Sequence, residues 1–410
     1  MLDLFKQNKM YRVFLMYQFF SSIGGGMFSM FILLSVHLIY ENLIYTGIAG
    51  FLMAAPSIFS FAVGPIVDRR NKVTIIRLTT LLEFFVLSLL AFTPFKDSIG
   101  VMFMFAVIFA YSVAHLFEGP AGTALLPQIV PEEKIIEANS LINIVALSGG
   151  VAIATILFTS LRGDINFSFL YGISAAFLVI AFIFSLFLKN LNTKKNTEKA
   201  PSPKYLTDLR EGAKFIRRNI LLYILVAAAA MSFFGEIAWV NRPMFLEYHV
   251  GAQGYVIFSV MGLIGGIVAS YFVGVLGNKF KLGYFIIALF VLAGIVRVVF
   301  VIILPASYVG GLVTTVLYVA LATSVGIIFS SLYQKIPPED MVGRVNTIDT
   351  TFRAIFTTIG ALAGGFIGSI VPVIDHIFIF QGINYALIGI LILFVPSIRK
   401  LPTMTEIKKQ

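Results

Sequence analysis

PEEKIIEANSL, Pro131–Leu141, returns 207 residues later as PEDMVGRVNTI, Pro338–Ile348. Pro131 aligns with Pro338, Glu132 with Glu339, Glu133 with Asp340 and Asn139 with Asn346. Each copy leads out of one long apolar stretch into the next. A weaker pair repeats upstream of these: Gly64-Pro-Ile-Val-Asp-Arg-Arg-Asn-Lys72 and Gly274-Val-Leu-Gly-Asn-Lys-Phe-Lys281, at an offset near 210. Two matches in the same order along the chain indicate an internal duplication.

The duplicated unit is apolar. Of the 410 residues, 59% are hydrophobic and 12% charged, with a mean hydropathy of +0.94. A soluble domain is about half apolar and about a quarter charged, so this chain has no way to cover itself with polar surface in water. Lipid removes that demand. Apolar stretches of roughly 20 residues, the length that crosses a bilayer, fall near 10–35, 43–64, 73–94, 100–123, 137–161 and 167–189. A second set falls near 220–246, 254–276, 283–304, 310–332, 343–371 and 377–397. The reading is an all-α membrane protein with 12 transmembrane helices in two pseudo-symmetric six-helix halves.

Charge orients it. With the N-terminus inside, 25 of the 30 Lys and Arg residues fall in inside segments, and only Lys96 and Arg162 fall clearly in outside loops. This positive-inside bias puts both termini in the cytoplasm of a multi-pass cell-membrane protein. It also accounts for the net charge of +10 without nucleic acid. The longest polar stretch, 190–219, starts as a Lys/Asn/Thr linker with Pro201 and Pro203. It then turns amphipathic, with Leu206, Leu209, Ala213 and Ile216 at helical spacing. The expected organisation is a first half over 1–190, a cytosolic linker with its helix over 191–219, and a second half over 220–410. The linker helix is expected along the inner membrane surface.

Several function classes drop out. There is no cysteine, hence no disulfide or thiolate chemistry, and the four histidines are scattered. No span carries a nucleophile–base pair or a metal-ligand cluster, so neither an enzyme nor a resident cofactor or metal is expected. No GxxxxGK[ST] loop is present for a nucleotide-driven pump.

The residues that carry chemistry are charges inside spans, where each costs several kcal/mol unless paired or wet. Glu83 lies mid-span three. Glu118 lies about 27 Å along span four, counted at 1.5 Å per residue, and His115 precedes it by three residues on the same helical face. Glu236 lies in span seven among Phe233, Phe234 and Trp239, beside Gly235, and is the favoured coupling or substrate-contact residue. Asp349 and Arg353 are four apart in span eleven and face each other as a pair. Arg297 is isolated in span nine and needs a partner or a ligand anion. Tyr17, Gln18, Met27, Met30, Phe31 and Phe234 are expected to line a cavity for a bulky or amphiphilic molecule. Gly24-Gly25-Gly26 is expected to weaken span one as a hinge. Gly262-x-x-Gly265-Gly266 and Gly360 through Gly368 read as close helix packing.

Two six-span halves joined by a basic linker resemble the major facilitator superfamily. Gly64, Asp68, Arg69, Arg70 and Lys72 are similar to its signature between spans two and three, with Asn71 in place of the usual second glycine. Asp68 can also cap the third span. Pro120–Asn139, Leu209–Asn219 and Gly343–Gly368 resemble the macrolide-efflux and enterobactin-exporter branch. Ser148-Gly149-Gly150 stands where the antiporter motif of that family has a glycine-proline pair, and the proline is missing. The resemblance implies the major facilitator fold, with Asp68 and its arginine neighbours holding one state of an alternating-access cycle. It implies a proton-coupled exporter of a hydrophobic or amphiphilic small molecule, drug-like or siderophore-like, working as a monomer in the lipid bilayer. Uptake, facilitated diffusion of a metabolite or lipid flipping are the alternatives.

Overall fold

The computed structural model describes residues 6–92, 98–131, 134, 138, 141–142, 145, 166–189, 205–276, 280–338, 341–403 and 406–407, without the side chains at 65, 68, 69, 98, 99, 205–209 and 274–276. These residues are helical, with no strand among them. Ten described helices are long and apolar enough to cross a membrane. One of them, Leu221–Leu276, contains two spans, because Gly251 interrupts it with φ 73 and ψ 169. The expected fifth span, 137–161, lies almost wholly outside the described residues, as do Ser148-Gly149-Gly150 and most of the Pro131–Leu141 repeat.

Two compact units divide the chain. The first comprises Met1–Glu41 with Leu52–Pro201, the second Asn42–Phe51 with Ser202–Gln410. The start of span two therefore belongs with the second unit. Its small residues explain this: Gly47 lies against the backbone of Gly365, and Gly50 against Val240 and Ala361.

In the first unit, span one (Lys9–Tyr40) packs on span six (Phe167–Leu186). Span six also packs on span three (Lys72–Phe92), which contacts span four (Ser98–Ile129). Span one starts where Asn8 accepts a hydrogen bond from the Tyr11 amide at 3.0 Å, satisfying one of the free donors of a helix N-terminus. The helix continues unbroken through Gly24-Gly25-Gly26, the expected hinge, in this conformation. Gly24 faces the Leu178 side chain and the Ser174 carbonyl, and Gly25 faces the Tyr111 hydroxyl, so the glycines admit neighbours rather than bend the helix. Arg77, a basic topology residue in sequence, has a structural task. Its guanidinium donates to the carbonyls of Ser185 (3.1 Å), Leu186 (3.2 Å) and Leu188 (2.8 Å) at the end of span six. Cations suit helix C-termini for this reason. Span two is helical over Leu43–Ala54 and Ser60–Arg69, with a 3-10 segment, Ala55–Phe59, between them. Pro56 at the start of that segment removes an amide donor, and the helix tightens there.

The second unit is built on span seven, the part of Leu221–Leu276 before Gly251, and span eight after it. This long helix packs against span ten (Tyr308–Lys335), span eleven (Val342–Ile370) and span twelve (Asp375–Leu393); span nine (Leu282–Ile303) packs on ten and twelve. The sequence reading expects a loop from 247 to 253. Instead the turn is made at Gly251 alone, whose φ/ψ is essentially reserved for glycine and costs other residues about 1–3 kcal/mol. Gly251→Val should therefore lower the stability of the detergent-solubilised protein by about that amount, read as a fall in apparent Tm.

Tyr205–Arg218 forms a helix that packs on spans seven and eleven of the second unit. Gly212 faces Ile348 and Arg344, Ile216 is buried in the core beside Leu221 and Val345, and Arg344 donates to Glu211 at 2.8 Å. This pair is exposed, so it contributes at most about 1 kcal/mol; the apolar seat of Ile216 is the larger anchor.

Candidate functional site

In the first unit, spans three and four bring three titratable groups together. His115 Nδ1 lies 3.5 Å from Glu83 Oε1 and 3.3 Å from Glu118 Oε2. Glu83 is completely buried and Glu118 nearly so, while His115 keeps 62% of its side chain accessible. Span one supplies the remaining partners of Glu118. Ser21 donates to Glu118 Oε1 at 2.6 Å, and the Tyr17 hydroxyl donates to the same oxygen. Tyr17 also meets Thr80 of span three at 3.3 Å. The two carboxylates are thus treated differently. Glu118 is held by hydroxyl donors and His115, whereas both Glu83 oxygens are buried without a hydrogen bond among the described residues. The imidazole stands between them with an accessible face.

Chemically, the cluster sets two buried carboxylates around one imidazole with an accessible face. Two carboxylates share one imidazole, so moving a proton at either acid changes the pairing of the other. Ligand atoms of Glu83, His115 and Glu118 all lie within 4.8 Å of one another, which also suits a cation. The sequence reading took each span by itself, and this cluster is shared between two. The cluster is invisible along the chain because Glu83 and His115 belong to different spans and meet only on folding. Tyr17, expected on a cavity wall, has no accessible surface and turns to Glu118. Met27 and Phe31 also have none, and Met30 has little. They pack the interior instead of lining a cavity, because span one carries apolar residues on every side and is enclosed over most of its length. Gln18 is half-buried near Gly122 of span four.

Two cavities lie among the described residues of the second unit. One, of about 550 Å³, has Asp349 and Arg353 on its wall together with Ser232, Ser330 and Tyr385. Arg353 Nη2 and Nε lie 2.8 and 2.9 Å from Asp349 Oδ2, the i,i+4 pair read from sequence. Asp349 Oδ1 is buried without a hydrogen bond. The second cavity, of about 160 Å³, is aromatic and contains Arg242 and Arg297 with Gln381, Tyr318 and Trp239. Arg297 Nε donates to Gln381 Oε1 at 2.7 Å, and Gln381 Nε2 donates to Tyr318 OH at 2.9 Å. The isolated arginine of span nine therefore has a neutral partner in span twelve. Glu236 is half-buried on span seven against Gly360, and no cation acts on it among the described residues. Phe234 stacks edge-on with Phe380 at 5.6 Å.

Of the loop residues, Gly64 has open space around it, Arg70 is exposed and Lys72 is buried at the start of span three. The side chains of Asp68 and Arg69 lie outside the described residues.

Residues 14–361 match the sequence pattern of the Major Facilitator Superfamily. The chain belongs to the Major Facilitator Superfamily. It is 24% identical to macrolide efflux protein A of Streptococcus pyogenes over 364 residues, covering 86% of each chain. It is 23% identical to macrolide efflux protein A of Enterococcus faecalis over 240 residues, covering 57% of this chain and 72% of that one. The fold is shared with the nucleoside transporter NupG, with a TM-score of 0.75 at 13% identity, covering 95% of this chain and 99% of that one. It is also shared with a bacterial homologue of the iron transporter ferroportin in an inward-facing state, with a TM-score of 0.70 at 14% identity and the same coverage.

Membership of the Major Facilitator Superfamily makes this chain a multi-pass membrane transporter of a small molecule rather than an enzyme, with the 12-helix fold read from the sequence. Sequence reasoning missed Tyr17, Ser21 and Gln381 as partners of the buried charges. A polar residue inside a span is the available signal, and Ser21 and Gln381 both carried it.

Proposed function

We propose that the protein is a proton-coupled exporter of a hydrophobic or amphiphilic small molecule, working by alternating access as a monomer in the cell membrane with both termini in the cytoplasm. The Glu83–His115–Glu118 cluster is the observation that carries this reading. It puts two buried carboxylates around one accessible imidazole, an arrangement able to take up and release a proton while the surrounding hydroxyls keep Glu118 in position. The likeness to macrolide efflux proteins over most of the chain supports an exporter. Glu236, without a cation beside it, is assigned to substrate contact rather than to the primary proton site.

Everted membrane vesicles with an acidic lumen, screened with drugs and siderophores, test the direction and the energy source together. The expected result is accumulation that disappears when the pH difference is collapsed. Equilibration without accumulation, the same with and without the pH difference, would favour facilitated diffusion. Phospholipid scrambling in empty proteoliposomes would favour a flippase.

Asp68, Arg69, Arg70 and Lys72 are assigned to the conformational switch, with Gly64 leaving room for the loop to move. Asp68→Asn is expected to reduce transport while leaving folding intact, and to shift cysteine-labelling accessibility of engineered sites between the two membrane faces. Unchanged transport with unchanged labelling would remove the switch role.

A further inference from the structure

Arg242 and Arg297 have a shared electrostatic problem that the coupling cluster does not touch. Both line the same cavity of about 160 Å³ in the second unit, Arg242 from span seven and Arg297 from span nine. The Arg297 guanidinium is covered by three rings, Phe300 at 5.2 Å and Tyr318 and Phe378 at 4.6 Å. Arg242 meets Trp239 at 5.3 Å and Tyr255 at 5.6 Å. Among the described residues no carboxylate acts on either, and each is close enough for Arg297 to feel the charge of Arg242. No carboxylate lines this cavity; among the acids of the surrounding spans, Asp375 is engaged with His249 at 2.8 Å and Asp349 with Arg353, while Glu236 follows the cavity residue Gly235 and does not act on either arginine.

A buried Arg297 and a half-buried Arg242, with no carboxylate acting on them among the described residues, are costly in an apolar span. Aromatic faces and the Gln381 amide recover part of that cost, about 0.5–2 kcal/mol per ring contact, but they neutralise no charge. Arginine is always protonated, so deprotonation offers no escape. The missing element is a negative charge, and the cavity has room for one: liquid water occupies about 30 Å³ per molecule. The walls limit its shape. The lining combines two guanidiniums with aromatic faces, a chemistry suited to a compact anionic head with a flat or aliphatic body.

We propose that Arg242 and Arg297 form an anion-binding site whose ligand is a compact monoanion, either a free inorganic ion or the carboxylate of an amphiphile. The site stands independently of proton coupling at Glu83. It selects against cationic cargo in this cavity, since a third positive group would add to the repulsion.

Trp239, the sole tryptophan of the chain, sits on the cavity wall and reports on it. The test uses the full-length protein in lipid nanodiscs, titrated at constant ionic strength with sodium chloride and, separately, with sodium benzoate, following tryptophan emission. Saturable change in at least one titration is expected, weakened tenfold or more in Arg297→Gln and in Arg242→Gln. Saturation by chloride identifies a free inorganic anion; saturation by benzoate alone identifies a carboxylate head on an apolar body. Strictly linear quenching by both probes, or saturation equally strong in both variants, overturns the proposal. Should neither variant fold, the wild type decides alone. A ligand that binds the folded state raises its apparent Tm, and no rise with either probe overturns the site.

Discussion

Glu118→Ala is expected to lower the stability of the protein by about 3–5 kcal/mol, the usual cost of removing one partner from a buried charged pair. Three donors converge on this carboxylate: Tyr17 and Ser21 from span one, and His115 one turn earlier on span four. Alanine leaves Tyr17 and Ser21 facing a void, and each stranded buried donor costs about 1–3 kcal/mol. Glu118→Gln keeps a carbonyl acceptor in place and should retain most of the wild-type stability. Thermal unfolding of the two purified variants in one detergent separates them. Equal Tm values for Glu118→Ala and wild type would mean that the hydrogen bonds to span one carry no weight.

Glu83→Gln is expected to have the opposite signature: a protein as stable as wild type, with transport that no longer responds to a proton gradient. Among the described residues both Glu83 oxygens are buried without a hydrogen bond, and its oppositely charged contact is His115 at 3.5 Å. Replacing a buried ionisable group of this kind by its neutral isostere removes a desolvation cost rather than a strong bond. Stability should therefore stay within about 1 kcal/mol of wild type or rise. What the substitution removes is the ability of the cluster to exchange a proton between Glu83 and His115. A folded variant with full, normally pH-dependent transport would contradict that role, and Glu236→Gln measured beside it tells whether span seven contributes to coupling.

The contrast between these two glutamates was not legible in the sequence. Each was visible as a charge in an apolar stretch, and His115 could be set beside Glu118 because three residues along a helix return to the same face. Nothing in the spacing relates Glu83 to either, since their meeting depends on how spans three and four pack. The same limit applied to Arg297. Its need for a partner was legible, but Gln381 lies on span twelve and only folding brings it within 2.7 Å. Asp349 and Arg353 were legible in full because both lie on one helix. The architecture was read more completely, because apolar length, positive-inside charge and the 207-residue repeat are properties of the chain itself. Two details turn on local packing and backbone geometry. Gly24-Gly25-Gly26 reads as a weak point by intrinsic propensity, yet tertiary packing against Leu178 and Tyr111 keeps the helix whole. The turn between spans seven and eight reads as a loop because 247–253 is polar for a span, yet one glycine in a left-handed conformation makes it.

Most direct for proton-coupled export is the proton itself. Everted vesicles carrying wild-type protein are given an acidic lumen, and a pH-sensitive dye follows that gradient when a transported drug is added. The account predicts that the drug dissipates the gradient with wild type and leaves it intact with Glu83→Gln. Drug accumulation in wild-type vesicles with no change in the gradient would contradict it.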